Sequence, residues 1–286
     1  MRENRLRTLL NENKPTFGTR IQSSWPTIAE LVGRSQNFDY VEFLAEYAPY
    51  DLYALDNLAR AIELSPNFSG LIKIERSAQA HIAVRAMAAG IQNVLFTDVR
   101  SRQDAEDCVR TVKPEVPGSI GTHGNDAGRA AIGGVPELIK RYEDSVVVLM
   151  IEKKGAVEDL EGILSVKGVD MVQFGPSDYS MSIGLAGQRN HPAVVEAYEH
   201  TIKTAIKMGV RPRAEISTPA EADYYLKQGV RDFNLSTDTA ILQAFYREQG
   251  SALRQLVNDA QREPAAALTS SANTRGPLPS SSNTSA

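Results

Sequence analysis

Apolar and polar positions along the chain alternate between two periods. Short runs rich in Val, Ile, Leu, Phe and Tyr recur at 17–21, 40–44, 70–74, 93–97, 146–151, 171–174, 211–216 and 232–235. The run Val146-Val-Val-Leu-Met-Ile151 is apolar throughout, as strands are when both faces are buried. Between these runs, helical spacing marks 27–33, 52–64, 80–89, 102–112, 135–142, 157–166, 192–208 and 219–228. Gly90, Gly209 and Gly229 each follow a helical stretch at the place of a C-cap glycine. Ser217-Thr-Pro219 and Asn190-His-Pro192 have the form of helix starts, with a capping side chain and then proline in the first turn.

Strand–helix alternation implies a parallel sheet with right-handed crossovers. Eight such units within a domain of about 250 residues predict a closed (β/α)8 TIM barrel. The rival, an open doubly wound sheet, lacks its sign: no Gly-x-Gly-x-x-Gly follows the first strand. Two segments fall outside the pattern. Residues 113–134 form a long Gly-rich connection containing His123, and connections of this length are usually functional. Residues 261–286 are mostly Ala, Ser, Thr, Pro and Asn without aromatics, which predicts a disordered C-terminal tail behind a folded domain at 1–260.

Composition narrows the function classes. Lys plus Arg is 31 and Asp plus Glu is 35, a net charge of −4, and there is no basic run. That balance speaks against nucleic acid and membrane surfaces as partners. No apolar run is long enough to span a bilayer and the first residues are polar, so the expectation is a cytoplasmic protein. The single cysteine, Cys108, lies on a predicted helix and reads as a buried apolar residue; with four His it excludes a Cys-based zinc site.

In a barrel of this kind chemistry sits on the loops after the strands. The titratable residues there are Glu46 and Tyr47 after the second strand, Lys73 within the third, Glu152 after the fifth and Asp178 after the sixth. Glu152 ends an apolar strand, where a carboxylate is costly to bury without a cation. Neighbouring parallel strands lie ~4.8 Å apart, so Glu152 and Asp178 can share one ion, and oxygen ligands suit Mg²⁺ or Mn²⁺. The alternative is structural: Glu152 pairs with Lys153 or Arg211, and Asp178 caps a helix.

The segments Met150-Ile-Glu-Lys-Lys154 and Val169-Asp-Met-Val-Gln-Phe-Gly-Pro-Ser-Asp178, with Ile-Glu 26 residues before the Asp, resemble the metal-binding core of the class II 2-oxo acid aldolases of the HpcH/HpaI family. Weaker likeness extends over roughly 15–245, including Ala45-Glu-Tyr-Ala-Pro49 and the segment 230–242. The resemblance implies that Glu152 and Asp178 hold a divalent metal. It also implies that backbone amides around Gly175, Ser177 and Asp178 receive a pyruvate carboxylate, and that the metal stabilises a pyruvate-type enolate. It further implies a homo-oligomer, a hexamer in which the C-terminal helices are exchanged; the amphipathic stretch 239–257 suits that role, and a simple packed helix explains it equally well.

This sequence departs from the family at the proton-handling half. The family's Asp-x-Glu-His reads Leu44-Ala-Glu-Tyr47, its Arg after the third strand falls near Lys73, and its Gln two residues before the metal Glu is Met150. The Arg-Gly of its long loop reads Ile120-Gly121. Tyr47 is a poor base at neutral pH and suits donation of a hydrogen bond. Glu46 keeps its position and is expected to orient the loop or a metal-bound water, and His123 is the remaining candidate imidazole. The function expected is a metal-dependent carbon–carbon lyase acting on a small-molecule 2-oxo acid. The alternatives are decarboxylation of a 2-oxo dicarboxylate at the same site, imine chemistry on Lys73, or a barrel that binds a 2-oxo acid without turnover.

Overall fold

A computed structural model describes residues 2–125 and 128–262. Eight parallel strands close into a barrel in sequence order: β1 (Thr16–Ile21), β2 (Tyr40–Leu44), β3 (Ser69–Ile74), β4 (Asn93–Phe96), β5 (Val147–Ile151), β6 (Met171–Phe174), β7 (Arg211–Ile216) and β8 (Asp232–Thr237), which pairs back onto β1. The predicted (β/α)8 TIM barrel is therefore the observed fold. The helices are α1 (Arg5–Asn11), α2 (Pro26–Arg34), α3 (Leu52–Glu63), α4 (Gln79–Ala89), α5 (Arg102–Val112), α6 (Val135–Glu143), α7 (Lys154–Glu158), α8 (Leu160–Leu164), α9 (Pro176–Ser182), α10 (Pro192–Lys207), α11 (Ala222–Leu226) and α12 (Asp238–Arg262).

The local signals act where the sequence places them. Gly90, Gly209 and Gly229 adopt positive φ behind their helices. The His191 side chain accepts a hydrogen bond from the Ala193 N–H and caps α10 ahead of Pro192. The differences are all in short elements. The helix expected at 157–166 is broken between α7 and α8, and that at 219–228 is a 3-10 turn (Pro219–Glu221) followed by α11. Helices α1 and α9 have seven residues each, too few for a 3.6-residue period to show in the sequence.

By contacts the chain divides into residues 1–241, which carry the barrel, and residues 242–286, of which 242–262 continue α12. The segment 263–286, expected to be disordered, lies outside the described residues. No described helix is long and apolar enough to cross a membrane.

Side-chain alternation sorts each strand. Ile21, Phe43, Ile72, Ile74, Ile151 and Phe174 pack outward in the large cluster between sheet and helices, whereas Tyr40, Leu71, Leu95, Val148, Met150 and Met171 meet inside the barrel with Leu6 of α1. Arg7 forks onto Asp170 with two contacts of 2.7 Å, so α1 closes the N-terminal end.

Strand pairing, advanced two residues at every second strand as the shear of an eight-stranded barrel requires, stacks the interior in layers. The uppermost complete layer is Arg20, Lys73, Met150 and Glu215. Beneath it lie Glu42, Leu95, Gln173 and Asn234, then Gly18, Leu71, Val148 and Arg213. Glycine at 18 makes room for the Tyr40 ring, since a Cβ there would fall 2.3 Å from its Cζ.

One side of this interior is apolar; the other is charged. Arg213 and Glu42, both fully enclosed, pair at 2.7 Å. Arg213 also donates to Gln173 Oε1 (2.6 Å) and to Tyr40 Oη (3.2 Å), and Asn234 donates to Glu42 Oε2 (2.7 Å). Removing one member of such a pair leaves a buried uncompensated charge. Glu42→Ala should therefore lower the unfolding free energy by about 3–5 kcal/mol in urea titrations, and Glu42→Leu combined with Arg213→Met should recover most of that loss.

Candidate active site at the barrel mouth

Each strand delivers its last inward-facing residue to the C-terminal end, because Ile74, Ile151 and Ile216 are committed to the outward packing. The mouth is thus lined by Lys73 from β3, Glu152 after β5, Gly175 after β6, and Arg20 and Glu215 from β1 and β7. Its charge is divided. Arg20 and Lys73 stand on the side of the first strands, Glu152 and Glu215 on the side of the later ones.

Glu152 is buried, with 4% of its surface exposed. Its Oε1 accepts a hydrogen bond from the Asp98 N–H at 2.8 Å. Its Oε2 lies over Gly175, where a Cβ would come within 2.6 Å, so only glycine admits the carboxylate in this position. Burial pushes the Glu152 carboxyl up to about 7; the Asp98 N–H and the Lys73 charge oppose that rise, and the nearby Asp178 adds to it.

Lys153 sits between two other carboxylates, 2.7 Å from Asp98 Oδ1 and 2.8 Å from Asp178 Oδ1. The structure thus brings Glu152 and Asp178 into one network, but the ammonium group of Lys153 engages Asp178 rather than Glu152. Arg211 is occupied at the opposite end of the barrel by Asp232. Asp178 stands in the first turn of α9 and makes no side-chain cap bond, so neither alternative partner foreseen for the two carboxylates is the one observed. Asp98 holds positive φ (58°), an uncommon conformation for a residue other than glycine. Asp98 stands after β4 as Glu152 does after β5, a strand-end carboxylate whose place in the sequence was its one signal.

The first turn of α9 carries the amide donors. The N–H of Gly175 continues the ladder to Ile151 O at 3.0 Å, so it is not available to a ligand. This corrects the expectation that Gly175 is one of three donors to a substrate carboxylate. The N–H groups of Ser177 and Asp178, at the second and third helical positions, have no partner within α9.

Lys73, Glu46 and Tyr47 form a second cluster. Lys73 Nζ is 2.9 Å from Glu46 Oε2 and donates to Tyr47 Oη at 2.9 Å. Burial alone would lower the Lys73 pKa, but Tyr47 and Glu46 outweigh it and hold the ammonium above the usual lysine range. Burial pushes Tyr47 up to about 12, against the opposing Lys73 charge. A neutral Tyr47 cannot be the counter-ion at physiological pH, so the Glu46 ion pair is what keeps Lys73 charged. Imine formation needs the free amine, and this corner disfavours it.

His123 is not at the mouth. Its ring stacks on Tyr142 of α6 (centroids 3.9 Å apart) and its Nδ1 lies 3.1 Å from Thr111 O near the end of α5. Since α5 leaves from the C-terminal end of β4, its own end lies at the opposite face; the expectation of an imidazole beside the site is corrected. Cys108 is buried, and burial pushes its thiol pKa up, as expected of a packing residue. Among the described residues no group of three His, Cys, Asp or Glu gathers as a ready-made cage. The donors present are two hard carboxylates, a set that fits a divalent cation sharing its remaining positions with water or substrate oxygens.

Residues 66–243 match the family model HpcH/HpaI aldolase/citrate lyase. A 4-hydroxy-2-oxo-heptane-1,7-dioate aldolase from Shigella boydii is 28% identical over 84% of this chain and 91% of its own length. The protein of the same name from Escherichia coli is 27% identical with the same coverage. An HpcH/HpaI aldolase from Desulfitobacterium hafniense superposes with a TM-score of 0.78 at 26% identity, over 87% of this chain and 96% of that one. A family protein from Burkholderia cenocepacia gives 0.81 at 24% identity, over 88% and 100%, a likeness of fold.

The raised Glu152 pKa has a measurable sign. The folded protein holds this proton more tightly than the unfolded chain, so the associated stability is fully present below the ordinary value of 4.5 and lost as pH rises through about 7. In chelator at pH 8, Glu152→Gln should exceed the wild type in stability by on the order of 3 kcal/mol, with the difference closing towards pH 5 in urea titrations.

Proposed function

We propose that this chain, which belongs to the HpcH/HpaI aldolase/citrate lyase family, breaks or forms a carbon–carbon bond next to a 2-oxo acid through a pyruvate-type enolate at a divalent metal site. The observation that carries this reading is Glu152: a carboxylate enclosed at a strand end, packed on Gly175, in no ion pair among the described residues, with Asp178 close by. Glu152 and Asp178 are the residues that would hold Mg²⁺ or Mn²⁺. When bound, such an ion supplies Lewis acidity that stabilises negative charge on the 2-oxo oxygen.

The chain's own groups do the rest. Lys153 contacts Asp98 as well as Asp178, so with a metal bound it would retain Asp98 as its partner and leave the Asp178 carboxylate to the ion. The Ser177 and Asp178 amides receive the substrate carboxylate. Lys73, charged and buried, faces the same space and stabilises the enolate electrostatically or returns a proton to its carbon. Tyr47 stays protonated and donates to a substrate oxygen; Glu46 fixes the ammonium of Lys73 in place.

A second reading, decarboxylation of a 2-oxo dicarboxylate, is favoured by one observation. Where the aldolases of the family have Asp and His, this chain has the enclosed apolar Leu44 and a Tyr47 that remains protonated to about 12. Loss of CO2 passes through the same enolate and needs no base for an alcohol proton. The reading also includes a homo-oligomer, supported by the exposed Phe245, Tyr246, Leu253, Leu256 and Val257 of α12.

Deuterium exchange into the methyl group of pyruvate, followed by NMR, tests the enolate step without the natural substrate. With Mn²⁺ or Mg²⁺ the wild type should exchange and EDTA should stop it. Glu152→Gln and Asp178→Asn should abolish exchange, and Lys73→Met should slow it by about 100-fold. Absence of exchange in the metal-supplied wild type would falsify the proposal. Scoring CO2 against aldehyde release from 2-oxo acids then separates the two reactions.

A further inference from the structure

The layer at the mouth contains a charge pair that the chemistry above does not use. Arg20 on β1 and Glu215 on β7 face inward and meet at 2.7 Å. The N-terminal end of the barrel is closed by α1, so the partial exposure of these inward-facing side chains, 18% and 33%, is through the mouth. Each is held from behind. Arg20 Nε donates to Ser236 O at 3.0 Å, and Glu215 accepts from Gln173 Nε2 in the layer below.

The backbone is shaped around this arginine. Pairing of β1 with β8 slips between Thr19 and Arg20, and Ser236, whose carbonyl anchors the guanidinium, takes φ of 54°. A bulge and a left-handed serine at one strand end re-aim a side chain at some local cost, a device concentrated at functional sites. Nε and Nη1 are engaged, and Nη2 has no partner among the described residues, which leaves that nitrogen for a ligand.

We infer that Arg20 is a substrate-binding residue that receives a second, distal carboxylate of the substrate and so sets the enzyme's preference for dicarboxylic 2-oxo acids. This deepens the reading above, on which it rests only for the location of the 2-oxo end. β1 stands four strands from β5 in an eight-stranded barrel, directly across from Glu152. Such a barrel is only wide enough for facing side chains to meet, so a chain of a few carbons bridges the two positions. Along that line the charges suit a molecule with an anionic group at each end: amides and carboxylate-held metal at one, a forked cation at the other. Glu215 occupies the inner edge of the fork, keeps Arg20 extended without substrate, and balances its charge.

Calorimetric binding of two five-carbon acids, 2-oxoglutarate and 2-oxopentanoate, to the Mn²⁺-supplied protein tests the inference without turnover. The wild type should bind the diacid at least about 10-fold more tightly. Arg20→Met should bring the two affinities together by weakening the diacid alone. Arg20→Lys should keep part of the preference, and Glu215→Gln, which releases the fork, should increase it. Equal affinities in the wild type, no binding of either acid, or an Arg20→Met protein that loses both acids equally would overturn the assignment. A protein that retains this discrimination but fails to exchange pyruvate deuterium would refute the lyase reading and leave Arg20 as a binding residue.

Discussion

The enclosed pair Arg213–Glu42 sets the condition for the barrel interior: a charge placed there is stable when it meets an opposite one. A guanidinium without exposure is tolerable only with a carboxylate close by, here Glu42 at 2.7 Å, and with further acceptors, here Gln173 for Nε and Tyr40 for Nη1. The rule propagates upward. Glu215 answers Arg20, and Gln173 joins the two layers by donating to Glu215 while accepting from Arg213. At the mouth Lys73 is answered by Glu46, and Lys153 by Asp98 and Asp178.

Glu152 departs from that condition. It is as enclosed as its neighbours but has a backbone N–H where they have a charge, and the cost appears as a carboxyl group raised to about 7. Protein interiors do not normally keep an uncompensated carboxylate, and displaced values of this kind concentrate where chemistry occurs. The cation proposed at Glu152 and Asp178 would remove the imbalance. The family to which the chain belongs is one of aldolases and citrate lyases, and the proposed enolate chemistry would use the same imbalance.

The fold was legible because its signal repeats. Eight runs alternate with helical spacing, and glycines such as Gly90 and Gly229 mark helix ends by a conformation other residues avoid. Single elements without repetition escaped, α1 and α9 among them. At the site, Glu152 and Asp178 stood out because a carboxylate after an apolar strand is costly in any barrel. Asp98 did not, because its part depends on a positive φ and on a lysine at the end of the neighbouring strand, 55 positions on in the sequence. Nor did Arg20 and Glu215, which sit 195 positions apart and become partners only when β8 closes onto β1. His123 misled for the opposite reason: a Gly-rich loop suggested function, whereas its ring packs on Tyr142 at the far end of the barrel. Sequence reveals a costly residue; it does not reveal which neighbour bears part of that cost.

The most direct test of the account is a Mn²⁺ titration followed by electron paramagnetic resonance at pH 8, comparing the wild type with Glu152→Gln. The account predicts one tight Mn²⁺ per chain whose signal changes when pyruvate is added, and loss of that site in the variant. Equal Mn²⁺ binding by the two proteins, or no tight binding by the wild type, would contradict it.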